Sequence, residues 1–264
     1  MKFNLNNALS AGLIAVFLFS ACAQQKEQTS TESMEAKPNT LSQAEIDDGW
    51  MLLFDGKTTD GWRGYKKDNF PNAWMISDDG SLHIQGSGRG ELGNAEGGDI
   101  IYDQVFSDFH FKVEWKVAEA ANAGIFYRGV EHPDFDYIWM SAPEMQVLDN
   151  INHPDAALGK NGNRKAGSLY DLIPADPQNA KPFDEWNSAE VIARGNNIQH
   201  IQNGEVVVEY TIGSERMEAL IADSKWPGIN AEWGNIAMEG ILGLQDHGDD
   251  VWFRNIKIKE LESE

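Results

Sequence analysis

Glu144, Gln146 and Asp149 stand close together in the run Ser141-Ala142-Pro143-Glu144-Met145-Gln146-Val147-Leu148-Asp149-Asn150, offering two carboxylates and an amide. Paired carboxylates can act as acid and base, or as nucleophile and acid, on a bond held between them. An amide between them can orient a hydroxyl. Side chains alternate faces along an extended segment, so Glu144, Gln146 and Leu148 share one face and Met145, Val147 and Asp149 the other. Asp149 joins the first row only if a β-bulge lies between Val147 and Asp149, and bulges are frequent beside active sites. The plainer alternative is an edge strand with a solvated polar face, which strand statistics favour for an isolated pattern of this kind.

The surrounding chain reads as all-β. Of 264 residues, 41% are hydrophobic and 10% aromatic, enough to pack one large β domain or two small ones. The clearest strand is Asp108 to Val117, with Phe109, Phe111, Val113, Trp115 and Val117 on a packed face and His110, Lys112, Glu114 and Lys116 opposite. On this phase Glu114 faces a concave groove. Asn122 to Arg128 and Ala166 to Leu172 read as further strands, the second entered through a long loop from Asn150 to Lys165. Ala189 to Arg194, Asn197 to Gln202 and Glu205 to Tyr210 form a meander turned by Gly195-Asn196 and Asn203-Gly204. Ser214 is placed to cap one short helix over Glu215 to Ser224. Gly240 to Gln245 and Val251 to Lys259 close the pattern, and many short strands without a repeat indicate a two-sheet sandwich.

The N-terminus is different in kind. Lys2, the apolar run Ala8 to Phe19 and Ser20-Ala21-Cys22 resemble a bacterial lipoprotein signal, which implies that residues 1–21 are removed and Cys22 is lipidated. Residues 22–40, rich in Gln, Lys, Glu, Ser and Thr, read as a flexible tether, leaving 41–264 as the folded domain. The expected location is therefore the bacterial envelope, periplasm or outer membrane, with membrane contact only through the lipid. Cys22 is the sole cysteine, so no internal disulfide can form. A net charge of −21 excludes nucleic acid as a natural partner. The glycines at 86, 88 and 90 match neither dinucleotide nor P-loop spacing.

An ordered set of blocks carries a resemblance: Leu53-Phe54-Asp55-Gly56-Lys57 with Gly61-Trp62, Glu114-Trp115, Asn122 to Arg128, Glu144 to Asp149, Ala166 to Tyr170, Trp186-Asn187, Leu244 to Gly248 and Val251 to Asn255. From about Trp50 onward the chain resembles the 3-keto-disaccharide hydrolase family. That resemblance implies a concanavalin A-like jelly-roll β-sandwich acting on 3-keto-glycosides, which partner sugar oxidoreductases would supply. Laminarinase-type relatives of that fold carry Glu-x-Asp-x-x-Glu on the site strand. Here Gln146 replaces the middle Asp and Asp149 the terminal Glu, which argues against a retaining glycosidase with carboxyls about 5 to 5.5 Å apart.

A ketone at C3 acidifies the C2 hydrogen, so the C1 substituent can leave by elimination and water can then add. On that chemistry Asp149 or Glu144 serves as base, Arg128 steadies the enolate, His247 protonates the leaving oxygen, and Gln146, Tyr170 and Glu114 contact the sugar. Each has a plain structural competitor: an ion pair for Glu114 and Arg128, a turn for His247, the core for Tyr170. A divalent metal, either on Glu144, Asp149 and His247 or as calcium within Asp246 to Asp250, is the one cofactor the residues could hold. The competing functions are a lectin-like glycan-binding module, with Trp139 and Trp186 as stacking platforms, and a conventional laminarinase-like hydrolase.

Overall fold

The computed structural model describes residues 37–90 and 93–262. The signal, Cys22 and most of the expected tether lie outside the described residues. Strands β1 (Trp50–Leu52), β3 (Trp74–Ile76), β4 (Leu82–Ile84), β6 (Phe109–Val117), β9 (Asn187–Arg194), β10 (Asn197–Gln202), β11 (Glu205–Thr211) and β13 (Val251–Glu260) form one sheet. Strands β2 (Trp62–Gly64), β5 (Ile100–Phe106), β7 (Asn122–Gly129), β8 (Glu144–Leu148) and β12 (Gly240–Leu244) form the other, in the order β2-β5-β12-β7-β8. All pairings are antiparallel. The architecture is a concanavalin A-like jelly roll.

The alternation in β6 does what its sequence dictates: Phe109, Phe111, Val113, Trp115 and Val117 are all buried, and the residues between them are half-exposed. They meet Ala123, Ile125 and Tyr127 of β7 and Met145 and Val147 of β8 in one inter-sheet core. Burying an aromatic or branched side chain of this kind contributes about 1.5–3 kcal/mol, so this layer dominates the fold's stability.

The smaller sheet is covered on both faces, which explains why every residue of β7 and β8 is buried. Phe126, Ile101 and Ile241 point away from the main core and pack under Ile138 and Ala142 of the 130–142 segment. Gly243 permits this approach, because a Cβ there would lie 2.7 Å from Ile138 Cδ1. The covered outer face is where a site can form.

Three local expectations are corrected. No bulge is present at the end of β8: its register against β7 runs unbroken from Phe126↔Glu144 to Asn122↔Leu148, and the strand stops before Asp149. Residues 166–172 are turns bound to β8 by an isolated bridge, Met145↔Leu169, rather than a strand. The ordered domain also begins before Leu41, since Asn39 is buried and exchanges hydrogen bonds with the Asn255 backbone and side chain at 2.7 Å each. The other elements fall close to expectation. A short helix, α1 (Gln43–Asp47), precedes β1, and Ser214 caps α2 (Glu215–Ala222), which is followed by the single turn α3 (Trp226–Ile229).

Candidate active site

Because Phe126 faces Glu144 and Gly124 faces Gln146 across the β7/β8 ladder, both polar side chains emerge on the outer face of the smaller sheet. The Glu144 side chain then lies diagonally over Gly124. A Cβ on Gly124 would stand 2.3 Å from Glu144 Oε1, so the glycine is what makes room for the carboxylate. Gln245, just past β12, donates its backbone N–H to the Gly124 carbonyl and joins the same row.

Above this row is a cavity of about 140 Å³, lined by Glu144, Gln146, Gln245, Asn122, His247 and Asp99 together with an aromatic wall. In that wall Trp139 stacks on Tyr137 at 5.3 Å and 9°, and Trp226 stacks on Trp233 at 4.4 Å and 8°. Tyr170 meets Trp226 edge-on at 6.3 Å, and Lys225 Nζ sits 3.3 Å from the Tyr170 hydroxyl. Aromatic faces beside convergent polar groups suit a sugar ring. Three buried polar atoms in the lining have no hydrogen-bond partner: Asn122 Oδ1, Gln245 Oε1 and His247 Nδ1. Such atoms cost roughly 1–3 kcal/mol each unless a ligand satisfies them.

Two acidic groups frame the far side. Asp246 accepts backbone N–H groups from Asn94, Gly98 and Gly248, a donor set that fixes its carboxylate in place. Gly97 and Gly93 must be glycines for this, because added Cβ atoms would lie 2.1 and 2.9 Å from Asp246 Oδ2. Asp99 accepts the Asp246 backbone N–H at 3.1 Å. Burial, aided by the Asp246 charge, pushes Asp99 up to about 7, so a carboxyl that keeps a substantial share of its protons near physiological pH lines the cavity. Tyr170 is pushed well above its ordinary value by burial and by the charges of Glu144 and Asp155, which keeps its hydroxyl protonated. That hydroxyl donates to Asp155 at 2.9 Å, and Arg164 anchors Asp155 and Asp171 at 2.9 and 2.6 Å.

Of the residues singled out from sequence, Glu144, Gln146, Tyr170, Trp139 and His247 converge on this cavity. Four do not. Asp149 is a turn cap, its carboxylate accepting from the Ala120, Ile151 and Asn152 backbones and from Asn152 Nδ2. Arg128, with φ at 54°, is wholly buried and donates to the Ser107 and Gly195 carbonyls at 3.2 and 2.7 Å. Glu114 is engaged by Arg254 at 2.7 Å, and Arg254 also covers Trp186 at 4.0 Å, both on the outer face of the larger sheet. The calcium reading of Asp246 to Asp250 meets a plain obstacle: Asp246 is filled by amide donors, and Asp250 is bound by His83 at 2.7 Å. Asp99, Asn122, Tyr137, Lys225 and Trp226 were missed as site residues. Only the close-spaced glycines at 93, 97 and 98 hinted that a backbone approaches something there. A larger groove of about 940 Å³, bordered by Arg194, Arg216 and Tyr210, contains none of the expected residues.

An acidic, aromatic-walled cavity on the outer face of the smaller sheet of a jelly roll offers the ring faces and convergent polar groups that suit a sugar. Residues 49–259 match the family described as the 3-keto-alpha-glucoside-1,2-lyase-like domain, and the chain belongs to that family. It is 44% identical to a Bacteroides thetaiotaomicron protein named 3-keto-disaccharide hydrolase, over 92% of this chain and 91% of that one. Among solved structures it is similar to a Parabacteroides distasonis protein described as a candidate glycosyl hydrolase, at 29% identity and a TM-score of 0.75, covering 86% of this chain and 100% of the other. A second protein so described from the same organism matches at 25% identity and a TM-score of 0.58, covering 80% of this chain and 99% of the other.

Proposed function

We propose that this chain cleaves the glycosidic bond of 3-keto-glycosides by removing the C2 proton, expelling the C1 substituent and adding water. The observation that carries this reading is the Glu144 carboxylate held over Gly124 among orphaned acceptors and an aromatic wall. The family and the named relative support the substrate class.

In the first half, Glu144 takes the C2 proton and the electron pair moves toward the C3 oxygen. Lys225 and the Gln146 amide supply positive and hydrogen-bonding groups for that oxygen. The enolate then reforms the ketone as the C1–O bond breaks, and the protonated form of Asp99, still well populated near pH 7, protonates the departing alkoxide. In the second half, water adds hydroxide to C1 of the enone, and a proton returns to C2. Trp139 and Trp226 provide faces for the sugar, while Asn122 and Gln245 accept from its hydroxyls. An unoxidised glycoside lacks the acidified C2 hydrogen and should not react.

Delivery is part of the same reading: the chain is lipid-anchored through Cys22 in the bacterial envelope, where a sugar oxidoreductase supplies its substrate. The test is to incubate purified protein with a 3-keto-glucoside and, separately, with the parent glucoside. Cleavage of the first alone, lost in Glu144→Gln, is expected. Equal cleavage of both would return the site to conventional glycoside hydrolysis, and tight binding without turnover would make it a lectin.

A further inference from the structure

His153, His247 and Asp249 offer one ligand atom apiece, and these three atoms lie within 4.8 Å of one another. They come from separate parts of the chain: His153 from the turn after β8, His247 and Asp249 from the loop between β12 and β13. The two rings meet edge-on at 5.9 Å, and His247 Nδ1 lies 3.8 Å from Asp249 Oδ2. That separation is too long for a hydrogen bond, so His247 Nδ1 is buried without a partner although an anionic oxygen faces it.

The remaining atoms of the cluster are already oriented. His153 Nδ1 accepts the Asp155 backbone N–H at 3.1 Å, which leaves Nε2 as the atom it can present. Asp249 Oδ2 accepts the Asn122 backbone N–H at 3.0 Å, which fixes the carboxylate and ties it to the strand bearing Gly124. Backbone groups that orient ligating side chains in this way are a regular feature of metal sites. Ligands about 2.1 Å from a tetrahedral ion are separated by about 3.4 Å, so a small closure brings these three into range.

We propose that His153, His247 and Asp249 bind one divalent transition-metal ion in the wall of the cavity. Two imidazoles and one carboxylate suit zinc, manganese, cobalt or iron and do not suit calcium, which takes six to eight oxygens. Three protein ligands leave coordination positions open, and His247, alone of the three, also lines the cavity, which puts the ion beside the space a sugar would fill. There the ion polarises a substrate oxygen as a Lewis acid and stabilises charge developing on it. This role, though not the binding itself, rests on the function proposed above.

The test begins with full-length mature protein stripped by chelator and titrated with zinc, manganese or cobalt. Metal content and calorimetry should give one ion per chain. Asp249→Asn keeps the Asn122 hydrogen bond, and His247→Gln keeps much of the ring's volume. Both should melt like the stripped wild type while binding at least a hundredfold more weakly. Cobalt-loaded wild type should show visible absorption that both variants lack. No stoichiometric uptake, or equal uptake by the variants, overturns the site. Stripping should also slow 3-keto-glucoside cleavage at least a hundredfold, with recovery on reloading. Full activity in stripped protein overturns the Lewis-acid role and leaves the binding site standing. A loaded protein that turns over no 3-keto-glycoside overturns the proposed function and not the site.

Discussion

Replacing Gly124 by Ala adds one methyl group beneath the proposed base. The new Cβ would lie 2.3 Å from Glu144 Oε1, 2.8 Å from Cδ and 2.9 Å from Cγ, so both the head and the stem of the side chain must move. Restoring ordinary contact displaces the carboxylate by about 1 Å, a misplacement that costs on the order of a hundredfold in rate. That factor corresponds to about 2.7 kcal/mol of barrier. Gly124 does not occupy the left-handed region, so Ala is compatible with the backbone and should stiffen β7 slightly. The loss should therefore fall on kcat, with KM and the thermal midpoint little changed, because a proton-transfer group acts mainly in the transition state. Steady-state release of the aglycone from a 3-keto-glucoside measures it. Gly228→Ala, where an added Cβ meets nothing within 4 Å, is the matched control. Turnover of Gly124→Ala within twofold of wild type would mean that the position of Glu144 does not set the rate, and the base assignment would fall.

Three other perturbations probe the acid, the core and the domain boundary. Asp99→Asn should lower turnover while raising the melting temperature more at pH 8 than at pH 5. The folded-state value is raised from 3.8 to about 7, so the wild type loses stability as pH rises through that window, and a pH-independent gain would contradict it. His200 is wholly buried, with Nδ1 donating to the Gly167 carbonyl at 3.0 Å and Nε2 accepting from the Tyr127 hydroxyl at 2.7 Å, and burial depresses it from 6.5 to about 4. Its stabilising contribution is complete above pH 6.5 and lost as pH falls toward 4, by about 3 kcal/mol. Urea melts of His200→Gln should lack that slope, and an unchanged slope would assign it elsewhere. Asn39→Ala removes two side-chain hydrogen bonds and places Ala at φ 56°, so it should cost about 2–3 kcal/mol, whereas no loss would put the start of the domain back at Leu41.

Much of the scaffold was legible because strand alternation is a local signal. The phase of β6 and the outward row of Glu144 and Gln146 both follow from period-two patterning. Asp149 shows where that signal stops. Its side chain turns back onto the Ile151 and Asn152 backbone, a turn-capping habit of Asp written in Asp149-Asn150-Ile151-Asn152 that a strand reading overlooks. Arg128 sat in an apolar strand where no alternation could reveal its face, and only tertiary contact shows it binding carbonyls from two distant loops. Asp99 could not be found at all by spacing, because the Asp246 backbone that it accepts from lies 147 residues away. The His153, His247 and Asp249 cluster was hidden likewise, lacking any compact ligand spacing.

The origin of the C2 hydrogen in the product tests the central claim most directly. A 3-keto-glycoside should be cleaved in D₂O and quenched early, with free 3-keto sugar carried in parallel to measure its own exchange. Removal of the C2 proton followed by hydration predicts close to one deuterium at C2 of newly formed sugar, and none in Glu144→Gln, which should not turn over. Product that retains its original C2 hydrogen, where the free sugar does not exchange, would mean that the bond breaks by displacement at C1.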